Sequence, residues 1–296
     1  MTAPAAPGRR RAIWRRLRRQ RGAAAGTAVL AFLVAAVLLG PWLWPNDPGF
    51  IDVRARNMGP GLAHPLGTDQ LGRDTLARML AGGRVSIAVG LAAAAVALGL
   101  GTLIGVLAGF FRRLDGPLMR LTDLFLALPV IPLILVAVML FRETLSRGLG
   151  PQAGIFALIV LAIGVTSWMP TARVVRGEVL GLKERDFILA ARAAGTTEAA
   201  LITRHVLPNA ASPILVSAAL GTANAIVTES ALSFLGLGFP PDFPTWGRLL
   251  SDATPYLQDQ PGRALWPGAL ICLTVLGVNY LSEGLRDALD ARGTAR

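Results

Sequence analysis

Six stretches of the chain are long and mostly apolar, and the segments between them carry most of the charged residues. The stretches run approximately over 27–44, 85–111, 116–141, 153–172, 211–234 and 266–284. A helix needs roughly 20 mostly apolar residues to cross a bilayer, and its backbone amides are paired within the helix. A barrel strand would instead alternate apolar and polar residues. The pattern therefore predicts an all-α, polytopic membrane protein with six transmembrane helices.

The composition agrees with a chain that lies largely in lipid. Hydrophobic residues make up 53% of the 296 residues, and the mean hydropathy is +0.54. Both values exceed what the core of an ordinary soluble protein requires. The excess of apolar side chains is therefore expected to face the membrane lipid.

Residue types that carry catalysis and metal binding are scarce. Lys183 is the only lysine, and no glycine-rich run precedes it, so the chain cannot supply a phosphate-binding loop. His64 and His205 are the only histidines and lie in segments predicted on opposite sides of the membrane, which disfavours a zinc pair or a catalytic triad. Cys272 is the only cysteine, which excludes an intrachain disulfide. We expect no catalytic residue, metal site or cofactor in this chain, so any ATP hydrolysis must come from a partner.

The basic residues are distributed unevenly between the two sides of the predicted membrane. With the N-terminus inside, the inner segments hold 20 of the 29 Lys and Arg residues, and the outer loops hold nine. The inner residues comprise eight in 9–21, three in 112–120, six in 173–204 and three in 286–296. This is the positive-inside pattern, and it predicts that both termini are cytoplasmic. Topology and anionic lipid headgroups account for the net charge of +11 without a nucleic-acid partner.

The predicted spans divide the chain into five parts. They are a basic cytoplasmic N-terminus at 1–26, a transmembrane anchor at 27–44, an extracytoplasmic segment at 45–84, a five-helix core at 85–290 and a tail at 291–296. The core contains the largest inner loop, at 173–210. This loop carries the most specific local pattern in the chain.

Within this inner loop, the residues predict two short helices joined by a sharp turn. The alanine-rich run 185–194 has helical spacing of apolar positions. Gly195 is expected to end that helix in a left-handed conformation, and Thr196 or Thr197 to cap the next one. Pro208 is expected to stop the second helix. The pair either covers the ends of the spans or presents a surface to a partner protein.

The spacing of this helix pair resembles the EAA loop of ABC importer permeases, through Ala190 and Ala191, Gly195, and the Leu207-Pro208 pair. Leu189 departs from the family's glutamate, and His205 from its usual aliphatic residue. In that family the loop docks into a groove of the ATPase. The resemblance therefore implies docking through Asp186, Ala190, Ala191, Arg192, Ala194, Gly195, Thr196 and Pro208.

Three further segments, 66–74, 231–247 and 284–290, resemble the dipeptide/oligopeptide/nickel permease family, specifically its C-type subunit. The resemblance implies a type I ABC importer permease fold in a bacterial inner membrane. It also implies a second permease subunit in a heterodimer, two ATPase subunits or domains that bind ATP and Mg²⁺, and an extracytoplasmic solute-binding protein.

Polar residues within or beside the predicted spans are candidates for direct roles in transport. Glu229 lies inside the fifth span, where an ionisable group must face the protein interior or a wet cavity. It either lines the translocation pathway or makes a structural hydrogen bond to the partner subunit. Asp69, Arg73, Asp74 and Trp246 fall where the resemblance implies contact with the binding protein. A solvated ion pair between Asp74 and Arg78, one helical turn apart, is the simpler interpretation.

Glycines and prolines in the second and third spans predict how those helices pack. Gly101, Gly105 and Gly109 recur at every fourth residue, which lets another helix approach closely. Pro129 and Pro132 remove backbone donors from the third span, and we expect them to bend it.

These observations predict a permease subunit that forms half of a pathway for peptides or related small solutes. On this hypothesis, which rests on the resemblance, the subunit works by alternating access and is energised by partner ATPases. The alternative is an ion-coupled secondary transporter or channel acting as a homo-oligomer. Such a protein is expected to carry more ionisable residues within its spans than Glu229 and Asp123. A membrane-anchored scaffold is a third possibility, but the apolar block is too extensive for an anchor.

Overall fold

The computed structural model describes residues 20–289, and every regular element in that range is helical apart from one isolated bridge between Thr68 and Asp74. Most of the predicted N-terminal region 1–26 and the whole predicted tail 291–296 lie outside the described residues. The expectation of an all-α protein is confirmed.

Twelve α-helices make up the described fold. Eleven of them are labelled α1 (Arg21–Leu43), α2 (Thr75–Phe110), α3 (Arg112–Ala127), α4 (Val130–Leu149), α5 (Pro151–Val165), α6 (Met169–Lys183), α7 (Asp186–Ala193), α8 (Glu198–Ala200), α9 (Ala211–Phe234), α10 (Trp246–Ala253) and α11 (Gly262–Leu289), and the twelfth is the single helical turn Leu207–Asn209. Between α8 and α9, helical structure continues through the π-turn Leu201–Val206 and the turn Leu207–Asn209. Short 3-10 turns lie at Val53–Ala55 and Thr254–Tyr256.

Four helices, α1, α2, α9 and α11, are long and apolar enough to cross a membrane unaided. The pairs α3 with α4 and α5 with α6 pass the same criterion together, but they are bent by 88° and 45°. Six spans result if each bent pair counts as one. The predicted number is reached in this way, although the predicted spans 116–141 and 153–172 are not continuous helices.

Prolines account for the sharper of the two bends. Leu128 is extended, with ψ of 137°, because the residue before a proline avoids the helical region. Pro129 then stands immediately before α4, where its missing amide proton costs no hydrogen bond. The expected bend in the third span is confirmed, with Pro129 at the break.

Helix α2 lies at the centre of the subunit and contacts α1, α5, α6, α9 and α10. Its most extensive contact is with α6, while α1 packs mainly along α11. The largest buried cluster includes Val89 and Ala93 of α2, Ile159 and Ile163 of α5, and Leu232 of α9. Helix α2 therefore contacts most of the bundle directly, while α11 makes the main contact with the N-terminal anchor.

The contact between α2 and α6 depends on the three glycines spaced four residues apart. A Cβ at Gly101 would lie 2.6 Å from Cβ of Thr171, one at Gly105 would lie 2.6 Å from the carbonyl oxygen of Ala172, and one at Gly109 would lie 2.7 Å from Cβ of Val179. These distances are shorter than van der Waals contact allows, so any larger residue forces the helices apart. The expectation that this glycine stripe lets another helix approach closely is confirmed.

A single added methyl group on α2 tests this contact. We predict that Gly105→Ala lowers the free energy of unfolding by about 1–3 kcal/mol, because the new methyl meets the α6 backbone. Gly99→Ala is the matched control, since no atom lies within 4 Å of a Cβ at that position. The two variants are compared by thermal unfolding of the purified, detergent-solubilised chain. Equal melting temperatures for both would contradict the proposed role of the contact.

Candidate functional site

The turn between α7 and the helical segment that follows has the geometry predicted from its glycine. Gly195 has φ of +81°, in the left-handed region. Its amide donates to the carbonyl of Arg192 at 3.0 Å, and the Thr196 amide donates to that of Ala191 at 3.1 Å. These two bonds form the Schellman motif, which satisfies carbonyls at the end of a helix. Asp186 lies in the first turn of α7, where its negative charge interacts favourably with the positive end of the helix dipole.

The second helix of the pair differs in detail from the expected one. Thr197 caps it, with its hydroxyl oxygen accepting from the Ala200 amide at 3.4 Å. The helix then widens into the π-turn Leu201–Val206 and continues past the predicted stop, so Pro208 lies inside the turn Leu207–Asn209. Proline cannot donate the usual amide bond. The wider turn immediately before it accommodates that loss without ending the helical path.

Buried apolar side chains fix the helix pair to the rest of the subunit. Ile188 of α7 and Leu201 and Val206 of the π-turn are fully buried. They pack in one cluster with side chains near the C-terminal ends of α2 and α6, namely Val106, Phe110, Val175, Val179 and Leu182. Burying a large aliphatic side chain contributes about 1.5–3 kcal/mol. The helix pair is therefore fastened to the two helices that the glycines hold together.

The opposite face of the pair is open. Of the eight residues predicted to dock, Asp186, Ala190, Arg192, Ala194, Gly195 and Pro208 are exposed, while Ala191 and Thr196 are half-buried. Two large apolar side chains on α7, Phe187 and Leu189, are 44% and 46% exposed. Phe187 is not among the eight predicted residues, and it lies about 100° around the helix axis from buried Ile188. An exposed apolar face on an otherwise anchored helix suits a partner protein.

At the other end of α2, Asp74 ties several segments together. Its carboxylate caps α2 by accepting from the Ala77 amide at 2.7 Å. It also accepts from Trp44 Nε1 and Asn46 Nδ2, each at 3.2 Å, and lies 2.7 Å from His64 Nδ1. The segment between α1 and α2 is thereby folded against the start of α2.

The predicted solvated ion pair between Asp74 and Arg78 is wrong. Arg78 is 1% exposed, and its guanidinium lies 3.6 Å from Asp69 and 3.7 Å from Asp252. Asp69 also accepts from Arg73 Nε at 2.7 Å. The helix cap already occupies Asp74, so the arginine turns to carboxylates from other parts of the chain.

Glu229 lies in a buried polar cluster formed by α2, α9 and the start of α10. Ser86 Oγ donates to one of its carboxylate oxygens at 3.0 Å, and Ser233 Oγ donates to the other at 2.7 Å. Ser86 Oγ in turn accepts from the Trp246 amide at 3.2 Å, and Trp246 Nε1 donates to the Met79 carbonyl at 3.1 Å. Glu229 has no exposed surface. The hydrogen-bond partners described for this carboxylate belong to its own subunit.

The four residues expected to contact a binding protein are unequal in exposure. Arg73 and Asp74 are 5% and 4% exposed, and Trp246 is fully buried. Only Asp69 is half-buried rather than enclosed. Arg73, Asp74 and Trp246 make packing and capping contacts in this structure, and Asp69, with 13% of its side chain exposed, is the least enclosed of the four. Among residues 20–289, no group of three or more His, Cys, Asp or Glu side chains could hold a metal ion.

Comparison with protein families identifies the type of protein. Residues 101–294 match the family described as binding-protein-dependent transport system inner membrane component. The chain belongs to this permease family. Residues 9–60 additionally match the N-terminal transmembrane domain of oligopeptide transport permease C. Subunits of this family span the inner membrane several times, have no ATPase activity of their own and work with an ATPase and a binding protein. Family membership excludes the alternative of an ion-coupled homo-oligomer.

Permeases of the same family in other bacteria match along nearly the whole chain. The oligopeptide transport system permease protein OppC of Bacillus subtilis is 36% identical over 278 residues, which cover 94% of this chain and 88% of that protein. The dipeptide permease DppC of Alkalihalophilus pseudofirmus is 35% identical over 283 residues, covering 95% and 90%. The glutathione permease GsiD of Pectobacterium atrosepticum is 37% identical over 284 residues, covering 95% and 91%.

A solved structure supports the fold. The inward-facing MetNI methionine ABC transporter matches with a TM-score of 0.54 at 18% sequence identity, covering 70% of this permease and 94% of the matched chain. This similarity establishes that the permease has the helical arrangement of an ABC importer membrane subunit.

The Asp74 contacts generate a test of how the segment between α1 and α2 is held. We predict that Asp74→Ala increases amide hydrogen exchange across residues 45–74, because it removes the helix cap and leaves Trp44 and Asn46 without their acceptor. The loss of a cap alone costs about 1 kcal/mol, and the lost hydrogen bonds from Trp44 and Asn46 add to it. Asp242→Ala serves as the control, since Asp242 is exposed. Identical exchange in both variants would contradict this assignment.

Proposed function

We propose that this permease forms half of a translocation pathway for dipeptides or oligopeptides. The other half is a second, related permease, so that the membrane part is a heterodimer. Relatives named for dipeptide, oligopeptide and glutathione transport support a peptide solute, since glutathione is itself a small peptide. In this proposal the N- and C-termini are cytoplasmic. The six basic residues of segment 173–204, which contains α7, favour a cytoplasmic position for that segment and therefore this orientation of the chain.

The observation that carries the proposal is the two-sided character of the helix pair 186–209. One side is anchored by Ile188, Leu201 and Val206 to α2 and α6. The other side presents Phe187 and Leu189 outward. An element held by the membrane helices on one face and open on the other suits transmission of movement from an ATPase. We assign the ATPase contact to this open face, including Asp186, Ala190 and Arg192.

The mechanism follows from that attachment. Two ATPases bind ATP with Mg²⁺ and close toward each other. Their closure draws together the helix pair 186–209 of this permease, which we call the docking pair, and the corresponding pair of the second permease. Because α7 is fastened to α2 and α6, those helices move with the pair. The movement opens a cavity between the two permeases toward the side where the binding protein releases its solute. Asp69, in the segment before α2, is the contact that we assign to the binding protein.

Leu189 provides a test of the docking face. We predict that Leu189→Lys lowers the affinity for the ATPase about tenfold or more, because a charge replaces an apolar contact at an interface. Leu62→Lys makes the same substitution at an exposed leucine in the segment before α2. Both variants are purified from membranes, and the amount of copurifying ATPase and the ATP-dependent uptake are measured. Unchanged ATPase association and uptake in Leu189→Lys would overturn the docking assignment.

Glu229 is tested by two substitutions that separate packing from a role in the pathway. If the carboxylate serves packing, Glu229→Gln keeps uptake close to that of the unmodified permease, because an amide can pair with both serines. Glu229→Ala leaves the hydroxyl protons of Ser86 and Ser233 without their acceptor, which costs about 1–3 kcal/mol per buried group. Thermal unfolding and peptide uptake are measured for both. A stable Glu229→Gln variant without uptake would instead assign Glu229 to the pathway.

A further inference from the structure

A small cavity lies between the beginnings of α2 and α11, beside α10. Its volume is about 30 Å³, and its wall includes Thr75, Arg78, Asp252, Ala253, Arg263 and Pro267. A space of this size holds one or two waters or a single small ion. The cavity lies at the opposite end of α2 from the docking pair, so neither the ATPase contact nor the Glu229 cluster accounts for it.

Hydrogen-bond donors in the wall of this cavity are left without acceptors. Arg78 and Arg263 are 1% and 8% exposed. Nε and Nη2 of Arg78, Nε and Nη1 of Arg263, and the hydroxyl of Thr75 are buried and have no hydrogen-bond partner among residues 20–289. An unpaired buried donor costs about 1–3 kcal/mol, and more when the group is charged. Several such donors around one space indicate that an acceptor belongs there.

The charges around the cavity are also unbalanced. Four arginines, Arg73, Arg78, Arg248 and Arg263, lie around two aspartates, Asp69 and Asp252. Each aspartate already accepts from another arginine, Asp69 from Arg73 Nε at 2.7 Å and Asp252 from Arg248 Nε at 3.0 Å.

The neighbouring carboxylate, Asp74, corrects only part of this imbalance. It caps α2 and accepts from Trp44 and Asn46 rather than from these arginines, but its negative charge still counts. Four guanidinium groups against three carboxylates leave an excess of one positive charge. An anion would neutralise that excess.

We propose that this cavity is a binding site for one small monovalent anion of the size of chloride. The anion accepts from the unpaired N–H groups of Arg78 and Arg263 and from the hydroxyl of Thr75. By joining Arg78 of α2 to Arg263 of α11, it links two helices that are far apart in the sequence. It thereby stabilises the end of the subunit at which these two helices begin.

Thermal unfolding tests the proposal in solution. The full-length chain is purified in detergent, and sodium gluconate is replaced by sodium chloride at constant ionic strength. A ligand that binds only the folded state raises the melting temperature with its concentration. We expect a saturable rise of at least about 2 °C. A melting temperature that does not depend on the anion would overturn the proposal.

Two variants and a matched control assign the effect to this cavity. Arg263→Gln and Thr75→Val are each expected to reduce the chloride-dependent rise by at least half, whatever their own melting temperatures. Arg56→Gln removes an exposed arginine from the same end of the molecule and is expected to keep the full rise. If the rise persists unchanged in Thr75→Val and Arg263→Gln, chloride acts elsewhere and the proposal fails.

Bromide provides the direct observation. Crystals of the full-length chain grown in sodium bromide are expected to show an anomalous scattering peak between the guanidinium groups of Arg78 and Arg263. Ordered water at that position without an anomalous peak would overturn the proposal.

Discussion

The close approach of α2 and α6 is the constraint on which the rest of the subunit depends. It exists because three glycines leave no side chain where the α6 backbone lies, with Ala172 and Val179 taking up that space. The docking pair is then anchored on the ends of both helices through Ile188 and its neighbours. A force applied to the pair therefore reaches α2, and through α2 the helices α1, α5 and α9 that contact it.

The two ends of α2 are built in different ways, and the difference matches their proposed tasks. At the docking end, buried aliphatic side chains hold an element whose outer face remains apolar and exposed. At the other end, Asp74, Asp69 and Arg78 form hydrogen bonds and ion pairs that are almost entirely enclosed. An apolar anchor with an open face suits a contact that a partner pulls on. An enclosed polar network suits a segment held in one position.

Most features set by local sequence were predicted correctly, although the helical path continues past Pro208, where it was expected to stop. The conformation of Gly195, the bend at Pro129 and the close contact along the α2 glycines each follow from the stereochemistry of the residue itself. Features set by distant contacts were not. Arg78 turns toward Asp252, 174 positions further along the chain, and Asp74 is occupied by Trp44 and His64. Spacing along one helix contains no information about such partners.

The most direct test of the account is whether the docking pair and α2 move as one body. Spin labels are placed at Ala193→Cys on α7 and Leu103→Cys on α2, both exposed positions, in a Cys272→Ser background. The distance between the labels is measured by electron paramagnetic resonance in the assembled, uptake-competent transporter, without nucleotide and with ATP bound. The account predicts one narrow distance distribution that is the same in both states. A change of about one helical turn, about 5 Å, would contradict it.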